Sequence, residues 1–204
     1  MASRILLLTG MTPDERIFKR LLPHLPTASV VPWIAPRRLE SLPEYAQRLA
    51  ETIEPTEETI VCGVSFGGMV ARELALCLNA RTCVLVSSLR SPAQLPPHFR
   101  VLRLLAGPHC EGVLNAVGTL SPNSRLKKLA GKKGAWHRWA TSAVLGWHAR
   151  PALDTVPLVQ IHGDCDTTFP IRYVVANKVI PGGGHVLPLT HAKEIAAILN
   201  ELAR

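Results

Sequence analysis

The six residues Gly63-Val-Ser65-Phe-Gly67-Gly68 fit the pattern Gly-x-Ser-x-Gly. A strand-like run, Thr59-Ile-Val-Cys-Gly63, precedes Ser65, and an apolar helical pattern starts directly after it at Phe66. A serine on such a strained strand-to-helix turn has its hydroxyl exposed above a sheet, where it serves as a nucleophile. Strand and helix approach closely there, so the residues two before and two after the serine must be small, and both are Gly. The new helix contributes free N–H groups and the positive end of its dipole, which would stabilise a developing oxyanion. A plain Gly-rich turn is the bland alternative. A phosphate loop is a weaker rival, because neither G-x-G-x-x-G nor Gly-Lys-Ser/Thr is present.

A serine becomes a nucleophile through a neighbouring base, and the base needs an orienting acid. In a site of this kind they follow in the order Ser, Asp or Glu, His, each on a loop at the C-terminal end of a strand. Ile161-His-Gly163-Asp-Cys-Asp166-Thr-Thr-Phe-Pro170 follows a strand-like run and carries two acids, Asp164 and Asp166. Ile180-Pro-Gly-Gly-Gly184-His185 follows the last such run, just before the final helix. Three glycines allow the backbone to turn sharply and bring His185 back over the sheet. The other histidines fit this order less well. His24, His98 and His109 sit in Pro-containing stretches, His137 and His148 in a middle segment, His162 ahead of the acid loop and His191 in the last helix.

The elements that must hold these residues alternate. Ile5–Thr9, Ser29–Ile34, Thr59–Gly63, Thr82–Ser87, Val156–Ile161 and Asn177–Ile180 read as strands. Asp14–Leu22, Pro43–Ile53, Phe66–Asn79 and Leu189–Ala203 read as helices. Alternation of this kind predicts an α/β fold with a doubly wound, mostly parallel sheet and helices on both faces. The pattern breaks between Leu89 and Pro151, where the chain is Pro-rich and then basic and helical, with Trp136, Trp139, Ala143 and Trp147 on one helical face. The expected organisation is a core of residues 1–88 and 151–204 with an insertion of residues 89–150.

With the three motifs in hand, the chain resembles the α/β-hydrolase family. The resemblance covers roughly residues 3–87 and 152–203, and it rests on Gly63-Val-Ser-Phe-Gly-Gly, on His162-Gly-Asp-Cys-Asp-Thr-Thr-Phe-Pro170 and on Gly183-Gly-His185. It implies a triad of Ser65, Asp166 and His185, the acid falling on Asp166 because the family motif H-G-x-x-D-x-x-x-P ends on Pro170. It implies an oxyanion hole from the N–H groups of Met11 and Phe66, and a cap, or lid, built from residues 89–150. Thr9-Gly10-Met11 departs from the His-Gly often found there, which backbone donors tolerate. The short gap between Asp166 and His185, and the lack of early antiparallel strands, make this a reduced version of the fold. The implied activity is hydrolysis of a small carboxylic ester or thioester through an acyl-enzyme on Ser65, with no metal and no organic cofactor. Acyl transfer to another acceptor and a non-catalytic binding protein on the same fold are the alternatives.

Composition sets the frame for this reading. The 204 residues are 47% hydrophobic and 19% charged, which suits one globular unit with a sizeable core and argues against global disorder. No apolar run reaches the ~20 residues of a membrane span, and Ile5–Leu8 is shorter than a signal-peptide core of ~7 residues. Cys62, Cys77, Cys83, Cys110 and Cys165 show no CxxC spacing and no paired framework. Reduced thiols and a cytoplasmic location are expected. The net charge of +8 is concentrated in residues 89–150, which hold ten Lys or Arg against the single acid Glu111; the rest holds thirteen bases and fourteen acids. This surplus, including Lys127, Lys128, Lys132 and Lys133, reads first as a solvated surface. Steering of an anionic substrate is the functional alternative, and nucleic acid is not the expected partner.

Overall fold

The computed structural model describes residues 3–54, 58–97, 99, 101, 134–148 and 150–204. Six strands form one sheet: β1 (Arg4–Leu8), β2 (Ala28–Val30), β3 (Thr59–Val64), β4 (Thr82–Val86), β5 (Leu158–Gly163) and β6 (Lys178–Ile180). Their order is β2-β1-β3-β4-β5-β6, and every pairing is parallel. β1 and β3 run side by side with Leu8 opposite Gly63, so the chain leaving β1 emerges beside Ser65.

Alternate side chains of each strand enter separate cores, as a buried parallel sheet requires. Leu6, Leu8, Val61, Cys83 and Leu85 join one cluster with α1 (Leu42–Ala50), α2 (Phe66–Cys77) and α3 (Gly134–Gly146). Ile5, Leu7, Ile60, Cys62, Val64, Val84 and Val86 join the other, with Phe18, Leu21 and the C-terminal helix α5 (Ala192–Leu202), which follows the single turn α4 (Leu187–Thr190). Helix α1 begins with a capping box in which the Ser41 hydroxyl and the Glu44 carboxylate satisfy each other's backbone N–H, with Pro43 in the first turn. Asn79, at φ +48°, ends α2 in the left-handed conformation.

Some elements differ from their sequence patterns. The expected helix over 14–22 is instead two 3₁₀ turns, Glu15–Phe18 and Leu22–His24. Pro23 lacks the N–H a continuing α-helix would need, and its ring would meet the carbonyl of Lys19. The strand expected over 29–34 is shorter: the Val31 N–H bonds the Leu7 carbonyl, and Pro32 then has no donor for the ladder. The last helix breaks at His191, separating α4 from α5. Trp147 lies just past α3 rather than on its face.

The segment between β4 and β5 is fastened to α2 at both ends. The buried Arg72 guanidinium bonds the Arg90 carbonyl on the outgoing chain and the Leu153 carbonyl (2.8 Å) and Asp154 carboxylate (2.9 Å) on the returning chain. Glu73, fully buried, accepts from the Trp147 indole (3.1 Å) and pairs with Arg150. Lys127, Lys128, Lys132, Lys133, His98, His109, Cys110 and Glu111 lie outside the described residues. Among the described residues no helix is long and apolar enough to cross a membrane.

Candidate active site

Ser65 sits between β3 and α2 at φ +54°, ψ −124°, a conformation that costs a non-glycine residue of order 1–3 kcal/mol. The surroundings fix it there. Its N–H donates to the Val86 carbonyl (3.0 Å), and its carbonyl accepts from the Gly68 N–H (3.0 Å) and the Ser88 hydroxyl (2.6 Å). A Cβ on Gly63 would collide with the backbone of Gly67 and Gly68, and one on Gly67 would collide with the Thr9 carbonyl. The glycines are therefore demanded by the approach of α2 to β3 and to the end of β1.

The structure brings Ser65, Asp166 and His185 together. His185 Nε2 is 2.9 Å from Ser65 Oγ, and its Nδ1 is 2.8 Å from Asp166 Oδ2. The other carboxylate oxygen, Asp166 Oδ1, accepts from the N–H groups of Thr168 (2.8 Å) and Phe169 (2.9 Å). Burial acts to raise the pKa of Asp166, but hydrogen bonding from His162, His185 and the Phe169 N–H outweighs it and holds the carboxyl well below the usual range. The group is therefore an anion fixed in one orientation. Asp164 plays another part: its Oδ1 accepts from the Gly182 N–H at 2.8 Å.

Two loops carry the acid and the histidine, and they are laced together. The Cys165 N–H donates to the Gly183 carbonyl (2.9 Å) and the Asp164 N–H to the Ile180 carbonyl (3.3 Å). A Cβ on Gly163 would strike the Gly183 backbone, so that pair permits the two loops to touch. Gly182 supplies the sharp turn, at φ +69°.

The residues expected to form an oxyanion hole lie around Ser65. Phe66 opens α2, so its N–H lacks an intrahelical acceptor. Gly10 lies against Ser65: a Cβ added to Gly10 would be 3.5 Å from Ser65 Cβ. Met11 follows it, and its carbonyl accepts from the Trp136 indole N–H at 2.6 Å. Trp136 belongs to an aromatic group with Trp33 (centroids 5.0 Å), Trp139 (5.2 Å) and Phe66 (6.1 Å), while Trp33 donates to Thr9 Oγ1 at 2.6 Å. Helix α3 is thus bound to both the turn after β1 and the start of α2.

Three contributors lie outside the expected set. Ser88 holds the Ser65 carbonyl, His162 lies beside Asp166, and Trp33 supports the Thr9 turn. The His-Gly of the acid loop was the one sequence signal for any of them. Cys62 and Cys83 are buried, and burial pushes the Cys83 thiol up to about 12, so neither offers a thiolate nucleophile. Among the described residues no three His, Cys, Asp or Glu side chains group as a metal site would require.

The model of the alpha/beta hydrolase family matches residues 5–198, and the chain belongs to that family. A comparison with curated proteins finds no match. Solved structures share the fold at low identity. The RedJ thioesterase of the prodiginine biosynthetic pathway in Streptomyces coelicolor is 19% identical, with a TM-score of 0.62 over 98% of this chain and 85% of that one. A mutant of YbtT, a type II thioesterase from the yersiniabactin NRPS/PKS biosynthetic pathway, is 18% identical, with a TM-score of 0.67 over 99% and 93%. Polyneuridine aldehyde esterase is 16% identical, with a TM-score of 0.63 over the whole of both chains.

Proposed function

We propose that the protein is a serine hydrolase of small carboxylic esters or thioesters, working through an acyl-enzyme on Ser65. The observation that carries this reading is the hydrogen-bonded chain from Ser65 Oγ through His185 to Asp166. Family membership supports it, and two thioesterases and an esterase among the structural neighbours are consistent with the substrate class.

The geometry suits each step. Asp166 accepts the His185 Nδ1–H, which leaves Nε2 free to take the Ser65 proton. Ser65 Oγ attacks the acyl carbon, and the carbonyl oxygen gains charge against the Met11 and Phe66 N–H groups. The tetrahedral adduct collapses, its bond to the alcohol or thiol breaks, and His185 Nε2–H protonates the departing group. Water then attacks the acyl-enzyme, giving a proton to His185. The adduct collapses, its bond to Ser65 Oγ breaks, His185 returns the proton to that oxygen, and the acid leaves. Anchoring of α3 to Met11 and Phe66 suits a role for residues 89–150 as a cap over the site.

A panel of chromogenic esters and acyl thioesters of graded chain length tests this reading, alongside a fluorophosphonate probe. Turnover of at least one class and labelling that disappears in Ser65→Ala are expected. Absence of both in the folded wild type would overturn it.

A further inference from the structure

We infer that His162 is a positioning residue for the Ser65–His185–Asp166 chain, acting through Phe169; the inference rests on the hydrolase reading above. His162 lies at the end of β5, has no exposed surface, and takes no part in the steps just described. Its Nε2 is 2.7 Å from the Phe169 carbonyl oxygen and 3.3 Å from Asp166 Oδ2. Both are acceptors, so the ring hydrogen belongs on Nε2. It donates to the Phe169 carbonyl, with the carboxylate close at its side. The other ring nitrogen, Nδ1, is buried without a hydrogen-bond partner among the described residues. Burying a polar ring at that cost is unusual, and an apolar side chain would avoid it.

Phe169 is the residue through which this bond reaches the reacting groups. Its N–H donates to Asp166 Oδ1 at 2.9 Å, so its backbone sets the plane of the carboxylate. Its ring meets the His185 imidazole edge-on, with centroids 5.5 Å apart and planes at 73°. One residue therefore touches the acid with its backbone and the base with its ring, and His162 fixes its carbonyl. The His162 N–H also lies beside the same oxygen, Oδ2, that receives the His185 Nδ1–H. Freed from His162, the Phe169 peptide can rotate, and both the carboxylate and the imidazole lose a boundary. Displacement of about 1 Å in such a group is enough to cost roughly 10²-fold in rate.

The test compares His162→Leu, which removes the donor, with His162→Gln, whose amide N–H can occupy the place of Nε2. Both are assayed on whichever ester or thioester the wild type cleaves best, and wild-type ring nitrogens are observed by ¹⁵N NMR. Expected are a loss in kcat of about 10- to 100-fold in the Leu variant with KM within about twofold, and recovery in the Gln variant to within about fivefold of wild type. In the wild type, His162 Nε2 carries a slowly exchanging hydrogen. The His185 ring signals shift in the Leu variant and return in the Gln variant. Unchanged kcat in a folded Leu variant, equal loss in both variants, or a bare Nε2 overturns the inference. If the Leu variant does not fold, a folded Gln variant that has lost kcat more than about tenfold does the same. A wild type that cleaves no ester or thioester sinks the hydrolase reading instead, while the NMR signals still decide the role of His162.

Discussion

The indole N–H of Trp136 donates to the carbonyl oxygen of Met11 across 2.6 Å, joining α3 to the turn after β1. Met11 is also the residue whose own N–H is proposed as an oxyanion donor. A side chain from the segment between β4 and β5 thereby steadies the backbone that carries the proposed donor. Replacing Trp136 by Phe keeps a ring against Trp33 and Phe66 but removes the indole N–H. The expected outcome is a fall in kcat of about tenfold, the size of one net hydrogen bond of ~1.4 kcal/mol, with little change in melting temperature. Steady-state kinetics and thermal unfolding of the variant check this.

Ser65 holds a backbone conformation that glycine adopts freely. Ser65→Gly should therefore be more stable than Ser65→Ala, by about 1 kcal/mol after the greater chain entropy of glycine is allowed for. Both variants should lack activity. Urea unfolding of the pair measures the difference, and equal stabilities would mean that the turn is not strained.

Asp164 and Asp166 are two residues apart and have separate work. Asp166→Asn replaces the acceptor of the His185 Nδ1–H with a group that no longer enforces the productive tautomer, so turnover should fall by about 10⁴-fold. Asp164→Asn keeps an oxygen to accept from the Gly182 N–H and should retain activity within about tenfold. Single-turnover assays of the two variants separate the roles, and the reverse ranking would reassign the acid.

Acid should weaken the fold partly through Asp166. Its pKa is depressed in the folded protein, despite burial, by bonds from His162, His185 and the Phe169 N–H. The ionised group therefore stabilises the fold fully above the unfolded carboxyl pKa of ~3.9, and that contribution is lost as the pH falls further toward the folded value. Asp166→Asn lacks this component. Its stability should decline less steeply than wild type below about pH 4. Guanidinium unfolding at a series of acid pH values reads the difference, and parallel slopes would contradict it.

The Ser65 turn was legible in the sequence because its demand is local: α2 can approach β3 and β1 only where Gly63 and Gly67 carry no Cβ, and Gly68 leaves the space that Ser88 fills. His185 was legible for a similar reason, following the last strand and a glycine run. Asp166 came from resemblance, since two acids share the loop and only the folded turn shows which one faces His185. Ser88 and Trp33 left no pattern, and His162 left only the His-Gly of the acid loop, which does not say what the ring touches. The partners of Ser88, His162 and Trp33 are Ser65, Phe169 and Thr9. The Ser88 and Trp33 contacts exist only after loops from different strands have met, and the His162 contact only once the loop after β5 has folded back on its own strand. The 3₁₀ turns at 15–24 were hidden by an apolar spacing that suits a helix, with Pro23 deciding the local outcome.

The Arg72–Glu73 pair has a consequence for how this chain could diversify. Because one turn of α2 grips the outgoing strand end at Arg90 and the returning chain at Arg150, Leu153 and Asp154, the sheet is closed at that seam whatever lies between. On this seam the intervening stretch is expected to be replaceable. A different loop of another length could be spliced at those two points without re-registering β4 and β5, provided it returned aromatic cover to Tyr45 and Phe66 and a donor to the Met11 carbonyl in place of Trp136 and Trp139. On the proposed reading, the length and sequence of that stretch can change while the chain from Ser65 through His185 to Asp166, which lies wholly outside it, keeps its geometry.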